Sequence, residues 1–136
     1  MPQWSEIPWL GVVVAVVASQ IIGFLWYGPL FGKPWRAGMG ITDADMQDRS
    51  GLGQLVVMGI IWSIVSAIAI AALLSMTGTP DLMAGVWVGF LASLVVTGYI
   101  LITAGYEKRN KTVAWIGVAN QMVTSIVVGA ILAYMW

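Results

Sequence analysis

Every charge in this 136-residue chain falls into one of four clusters, and the long segments between them carry none. Glu6 stands alone near the start. Lys33, Arg36, Asp43, Asp45, Asp48 and Arg49 form the second cluster, Asp81 the third, and Glu107, Lys108, Arg109 and Lys111 the fourth. The uncharged apolar stretches lie roughly at Ile7–Tyr27, Leu52–Met76, Leu82–Ala104 and Val113–Met135. A helix needs about 20 mostly apolar residues to cross a bilayer, and each stretch has that length. The pattern predicts an all-α, integral membrane four-helix bundle. It forms one transmembrane domain over residues 1–136, with spans near 7–27, 52–76, 82–104 and 113–135.

Composition narrows the chemistry. Only 9% of residues are charged and 60% are hydrophobic, whereas soluble domains carry about 25% charge. Cysteine and histidine are absent, which excludes disulfides, thiol chemistry and the common zinc sites. A net charge of zero gives no pull toward nucleic acid. No Asp, Glu, Lys or Arg lies inside a span, so the carboxylate relays of proton-coupled pumps are missing. No acid–base pair or activated nucleophile can be assembled. The expectation is a protein that is not an enzyme and needs no cofactor or metal.

All six basic residues lie in the loops after the first and third spans. Lys and Arg in short loops mark the cytoplasmic side, so both termini are expected to face outward across a bacterial inner membrane. The first stretch lacks a basic n-region and is too long for a cleaved leader.

Within the first loop, Ile41-Thr42-Asp43-Ala44-Asp45-Met46 reads as the start of a short amphipathic helix. Thr42 is its N-cap, Asp45 is at N3, and Ile41 and Met46 are spaced as a staple. Gly51 and Gly53 are placed to separate it from the second span. The second loop reads as a tight turn at Gly78–Asp81. Small residues recur at four-residue spacing in all four spans: Gly11, Ala15, Ser19 and Gly23; Gly59, Ser63, Ala67, Ala71 and Ser75; Gly85, Gly89, Ser93 and Thr97; Gly117, Ser125, Gly129 and Ala133, with Gln121 on the same line. Such stripes let helices approach closely in lipid and also leave surface for a homo-oligomer. Most tryptophans fall at span ends, as interfacial anchors do. Trp62 does not.

Neutral polar residues remain inside the spans. At a rise of about 1.5 Å per residue, Gln20, Trp62, Thr97, Asn120 and Gln121 all lie roughly 10–14 Å from the basic side. Ser93 and Thr124 lie nearby, and Ser63, Ser66 and Ser125 add further hydroxyls. This layer has two readings. It is a hydrogen-bond network that fixes helix register, or it is a polar cavity for a small neutral solute or a lipid headgroup.

The first span ends in Gly23-Phe-Leu-Trp-Tyr-Gly-Pro-Leu-Phe-Gly-Lys-Pro-Trp-Arg36. Gly28-Pro29 is expected to break the helix, and Tyr27, Trp35, Lys33 and Arg36 to anchor its exit. With Gly32, Glu107, Lys108 and Arg109 they would frame a cytoplasmic mouth or contact membrane lipid, Lys108, Arg109 and Lys111 being suited to anionic headgroups. Glu107 is expected to pair with Lys111 or Arg36.

That segment resembles the signature of the small, mostly bacterial membrane proteins grouped as domain of unknown function 1761. Glu107-Lys108-Arg109 resembles a second family position, and Gly129-Ala130-Ile131-Leu132 the family's last helix. Asn120 is followed by Gln121-Met122-Val123, where related chains show an aromatic and sometimes a His. The resemblance implies four spans and no particular activity. Two functions are left: a non-enzymatic oligomer that binds or passes a small polar solute or lipid, or an accessory subunit of a membrane-protein complex.

Overall fold

Asp81 and Asn110 each begin a long helix by capping it. Asp81 Oδ1 accepts from the Ala84 amide at 2.7 Å, and Asn110 Oδ1 accepts from the Thr112 amide at 2.8 Å. Short polar side chains serve the unpaired amides of a first turn in this way. The computed structural model describes residues 1–78 and 80–136. A 3-10 turn at Trp4–Glu6 leads into α1 (Trp9–Leu25) and a π-helical turn (Trp26–Leu30). Then come α2 (Gly32–Met39), α3 (Asp43–Gln47), α4 (Leu52–Ser75), α5 (Leu82–Tyr106) and α6 (Lys111–Tyr134). Among the described residues, four helical segments are long and apolar enough to cross a membrane: Trp9–Leu30, Leu52–Ser75, Leu82–Tyr106 and Lys111–Tyr134. The turn expected at Gly78–Asp81 runs through Thr79, which lies outside the described residues.

α5 and α6 form an antiparallel hairpin with backbone nearly touching backbone. A Cβ added at Gly85 or Gly129 would collide with the other's carbonyl oxygen, and one at Gly89 with that of Ser125. The small stripes of these two helices therefore face each other, and the close approach supplies the dispersion contact that lipid does not drive. α1 packs against α6 and α4. The core sits at the end of the bundle that holds both termini, where Ile7, Val12, Ala15, Ala71, Leu74, Val128 and Leu132 are buried together. The Gln3 amide donates to Ser75 Oγ there at 3.1 Å, pinning the N-terminal turn to the end of α4.

The opposite, basic end is looser. Every α4 residue from Leu52 to Trp62 is exposed, while Ala67, Ile70, Ala71, Ala72, Leu74 and Ser75 are buried. α4 is thus held by one half only.

Gly28-Pro29 does not stop the helix, contrary to the expectation. Proline has no amide and its ring crowds the carbonyl four residues back. The chain accommodates this by widening into a π turn, in which the Phe31 amide donates to the Trp26 carbonyl at 2.8 Å. The Trp26 indole N–H donates to the Ile116 carbonyl at 3.0 Å and ties the turn to α6. α2 follows directly, a helix that the loop chemistry did not foretell. A Cβ at Gly38 would lie 2.5 Å from Val113 Cγ2, so α2 lies close against the start of α6. The expected helix is α3, with its Thr42–Asp45 capping box formed, and Gly51 in the left-handed region (φ 76°) separates it from α4. Gly53 lies inside α4 and interrupts nothing.

Candidate functional site

Where α4 leaves the bundle, near the middle of the spans, it uncovers a cavity of about 170 Å³. Ser19 of α1, Gly59, Trp62, Ser63 and Ser66 of α4, and Gln121, Thr124 and Ser125 of α6 line it, with Ile70 and Val128 closing the end toward the core. Ser19, Gly59, Ser63 and Ser125 come from the small-residue stripes. A stripe that lets helices touch along its buried half becomes, where they part, a row of hydroxyls and bare backbone.

Four hydrogen bonds organise the wall. Gln20 Nε2 donates to Ser63 Oγ at 2.8 Å, linking α1 to α4. Ser63 Oγ in turn donates to the Gly59 carbonyl at 2.8 Å, and Ser19 Oγ to the Ala15 carbonyl at 2.8 Å. Gln121 Nε2 donates to Ser125 Oγ at 3.1 Å along α6. Thr124 Oγ1 is buried and has no hydrogen-bond partner among the described residues. A buried, unpaired hydroxyl costs about 1–3 kcal/mol, so Thr124 is a liability to the fold as it stands. The lining holds no ionisable group, and its chemistry is that of neutral dipoles.

The structure brings Trp62, Gln121 and Thr124 of the expected layer to this cavity, with Gln20 bonded to its rim. Trp62 lines it while remaining 61% exposed. Ser93, Thr97 and Asn120 are not brought to it. Ser93 is fully buried, and its hydroxyl donates to the Phe90 carbonyl of its own helix at 2.6 Å. Neither Thr97 nor Asn120 lines the cavity. Thr97 Oγ1 and Asn120 Nδ2 are buried without partners among the described residues. An equal depth count put all these residues in one layer; helix rotation separates them. Ser19, Gly59, Ser63, Ser66 and Ser125 also line the site; the four-residue spacing of small residues marks all of them but Ser66, which stands out only as a hydroxyl inside a span.

At the basic end, Tyr27 packs edge-on to Trp35 with ring centroids 5.3 Å apart, and Trp26 packs on Phe31 at 4.7 Å. Gly32 is buried, and a Cβ there would stand 2.6 Å from the Tyr27 carbonyl oxygen. Gly28, Pro29 and Lys33 are exposed. Arg36 is turned back onto its own helix, Nε donating to the Gly32 carbonyl at 3.3 Å. Glu107 pairs with Arg109 at 2.5 Å rather than with Lys111 or Arg36, because the turn at Lys108 (φ 53°) folds the two side chains together. These residues do not ring the polar cavity.

No curated protein and no solved structure matches the chain. Residues 10–133, which include the π turn, both basic loops and every residue lining the cavity, match the family described as protein of unknown function DUF1761, and the chain belongs to that family.

Proposed function

We propose that this protein is a non-enzymatic membrane oligomer that binds or passes a small, neutral, polar solute at the cavity between α1, α4 and α6. The unpartnered hydroxyl of Thr124, buried at a cavity wall otherwise lined by serines and Gln121, carries this reading. Size sets the class of solute. Pockets for drug-sized ligands run about 300–1,000 Å³, so about 170 Å³ suits a molecule of a few heavy atoms or a short row of waters. A lipid headgroup is too large for it. The missing charge favours an uncharged solute, since an ion would enter without a counter-charge.

Exposed Trp62, on the part of α4 that has left the bundle, supports self-association there. The six basic residues gathered at one end support an inner-membrane orientation with both termini outward. Purified protein in liposomes should conduct a neutral tracer such as urea or glycerol above the leak of empty vesicles, without conducting sodium or chloride. Tracer flux equal to that of empty vesicles, with no small molecule retained in native mass spectra, would refute the transport and binding readings together.

The exposed Leu52–Trp62 segment favours a second reading, an accessory subunit whose α4 packs on another membrane protein. In that case chemical cross-links from this segment would reach a different chain, not a second copy.

A further inference from the structure

The α5–α6 turn carries a second site, of opposite chemistry and independent of the polar cavity. A cleft of about 460 Å³ opens there, with Leu101, Ala104 and Trp115 on its walls and Lys108, Arg109 and Lys111 around it. A further cleft of about 470 Å³ lies beside it, between the π turn and α6, walled by Trp26, Phe31, Ile116 and Ala119. Lys111 and Trp115 belong to both, so the two clefts run along either side of one indole.

The charges at this rim are not balanced. Arg109 is paired with Glu107, whereas Lys108 and Lys111 form no ion pair among the described residues. The chain is held in this arrangement by its own turn. Lys108 takes a left-handed conformation (φ 53°), and the Arg109 amide donates to the Ala104 carbonyl at 2.9 Å, closing the end of α5. The Asn110 cap then starts α6 at once. Three cations are thereby confined to four consecutive turn positions at the end of two apolar helices.

We propose that these clefts seat one anionic diacyl phospholipid, its phosphate between Lys108 and Lys111 and one acyl chain on each side of Trp115. Charge complementarity chooses the headgroup, because two uncompensated cations attract a net negative phosphate ester and repel the choline of a zwitterionic lipid. The walls choose a lipid over a free anion. Both clefts are lined chiefly by apolar side chains, which give a soluble phosphate nothing to bind, and both open where a membrane-spanning helix meets the headgroup layer. Trp115, 59% exposed, supplies the amphipathic surface usual at that level.

Native mass spectrometry of the full chain in detergent tests this. Phosphatidylglycerol and phosphatidylcholine of equal chain length are offered together, with and without millimolar inorganic phosphate. The expected result is a preference for phosphatidylglycerol of roughly thirtyfold for two charges. It should disappear in the Lys108→Gln/Lys111→Gln variant, return in Lys108→Arg/Lys111→Arg, and survive added phosphate. Circular dichroism of each variant confirms the fold. Equal retention of the two lipids, an undiminished preference in the glutamine variant, or displacement by inorganic phosphate would each overturn the proposal. Failure here leaves the solute reading untouched, because tracer flux is measured at the other site.

Discussion

Gln20 and Ser63 face each other across the α1–α4 contact, Gln20 Nε2 donating to Ser63 Oγ at 2.8 Å beside the cavity. The bond lies where α4 begins to part from the bundle, Ser63 directly following the exposed stretch Leu52–Trp62. Side-chain hydrogen bonds between membrane helices average about 0.6 kcal/mol and reach about 1.7. Gln20→Leu should therefore lower stability in detergent-induced unfolding by about 0.6–1.7 kcal/mol, while tracer flux falls severalfold. A loss well beyond that range with flux unchanged would make the bond structural.

The α5–α6 contact predicts a sharp difference between two glycines on one helix. Gly89 lies against the Ser125 backbone, whereas a Cβ at Gly98 would meet nothing within 4 Å. Gly89→Ala must push the helices apart and should cost about 1–3 kcal/mol, as overpacking does. Gly98→Ala should be neutral or slightly stabilising, because alanine restricts the unfolded chain. Unfolding curves for the two variants read this directly. Similar values would show that the helices are not in backbone contact.

Acid should undo the α3 cap. Side-chain and backbone hydrogen bonds from Thr42 hold the Asp45 carboxyl below its ordinary value of 3.8. A carboxyl depressed in the folded state contributes its full stabilisation above its unfolded value, and the contribution fades as pH falls through the lower folded value. The cap should thus be complete at neutral pH and lost only below about pH 3.8. Carbon-13 NMR of Asp45 should give a midpoint under that value, and Thr42→Val should move it upward. An unchanged midpoint in Thr42→Val would remove the capping explanation.

The absence of cysteine makes orientation simple to measure, since any introduced thiol is unique. Ser5→Cys near the N-terminus and Ser50→Cys in the loop before α4 lie at opposite ends of the bundle, and both positions are exposed. With both termini outward, a membrane-impermeant maleimide added to intact spheroplasts should label Ser5→Cys. Ser50→Cys should react only after the membrane is opened. The reverse pattern would mean that the positive-inside bias does not govern this chain.

Charge spacing alone made the four spans legible, because a charge inside lipid is expensive and its absence over about 20 residues is hard to mistake. The capping box at Thr42 and Asp45 was legible for the same kind of reason, being local chemistry. The π turn was not. Gly28-Pro29 gives a strong break signal, whereas the Trp26 bond to Ile116, made 90 positions along the chain, ties the π turn to α6 through a contact that local sequence does not show. The site was legible by half. Depth follows from counting along a helix, but whether Thr97 and Asn120 turn toward α4 depends on rotations fixed by the Gly85, Gly89 and Gly129 contacts. The departure of α4 from its neighbours leaves no mark in sequence, since lipid-facing and partner-facing apolar residues look alike.

Thr124 offers the most direct way to separate fold from function. Its Oγ1 is buried without a partner among the described residues. Valine keeps nearly the same shape and removes the hydroxyl. If no solute meets that hydroxyl, Thr124→Val should raise stability and leave tracer flux unchanged. If it serves a solute, Thr124→Val relieves an unpaired dipole and should raise stability by about 1 kcal/mol, while tracer flux drops toward that of empty vesicles. Stability bought with lost function is the pattern expected of a site kept polar against the interest of packing. A stabilised variant with full flux would instead place the solute path elsewhere in the protein.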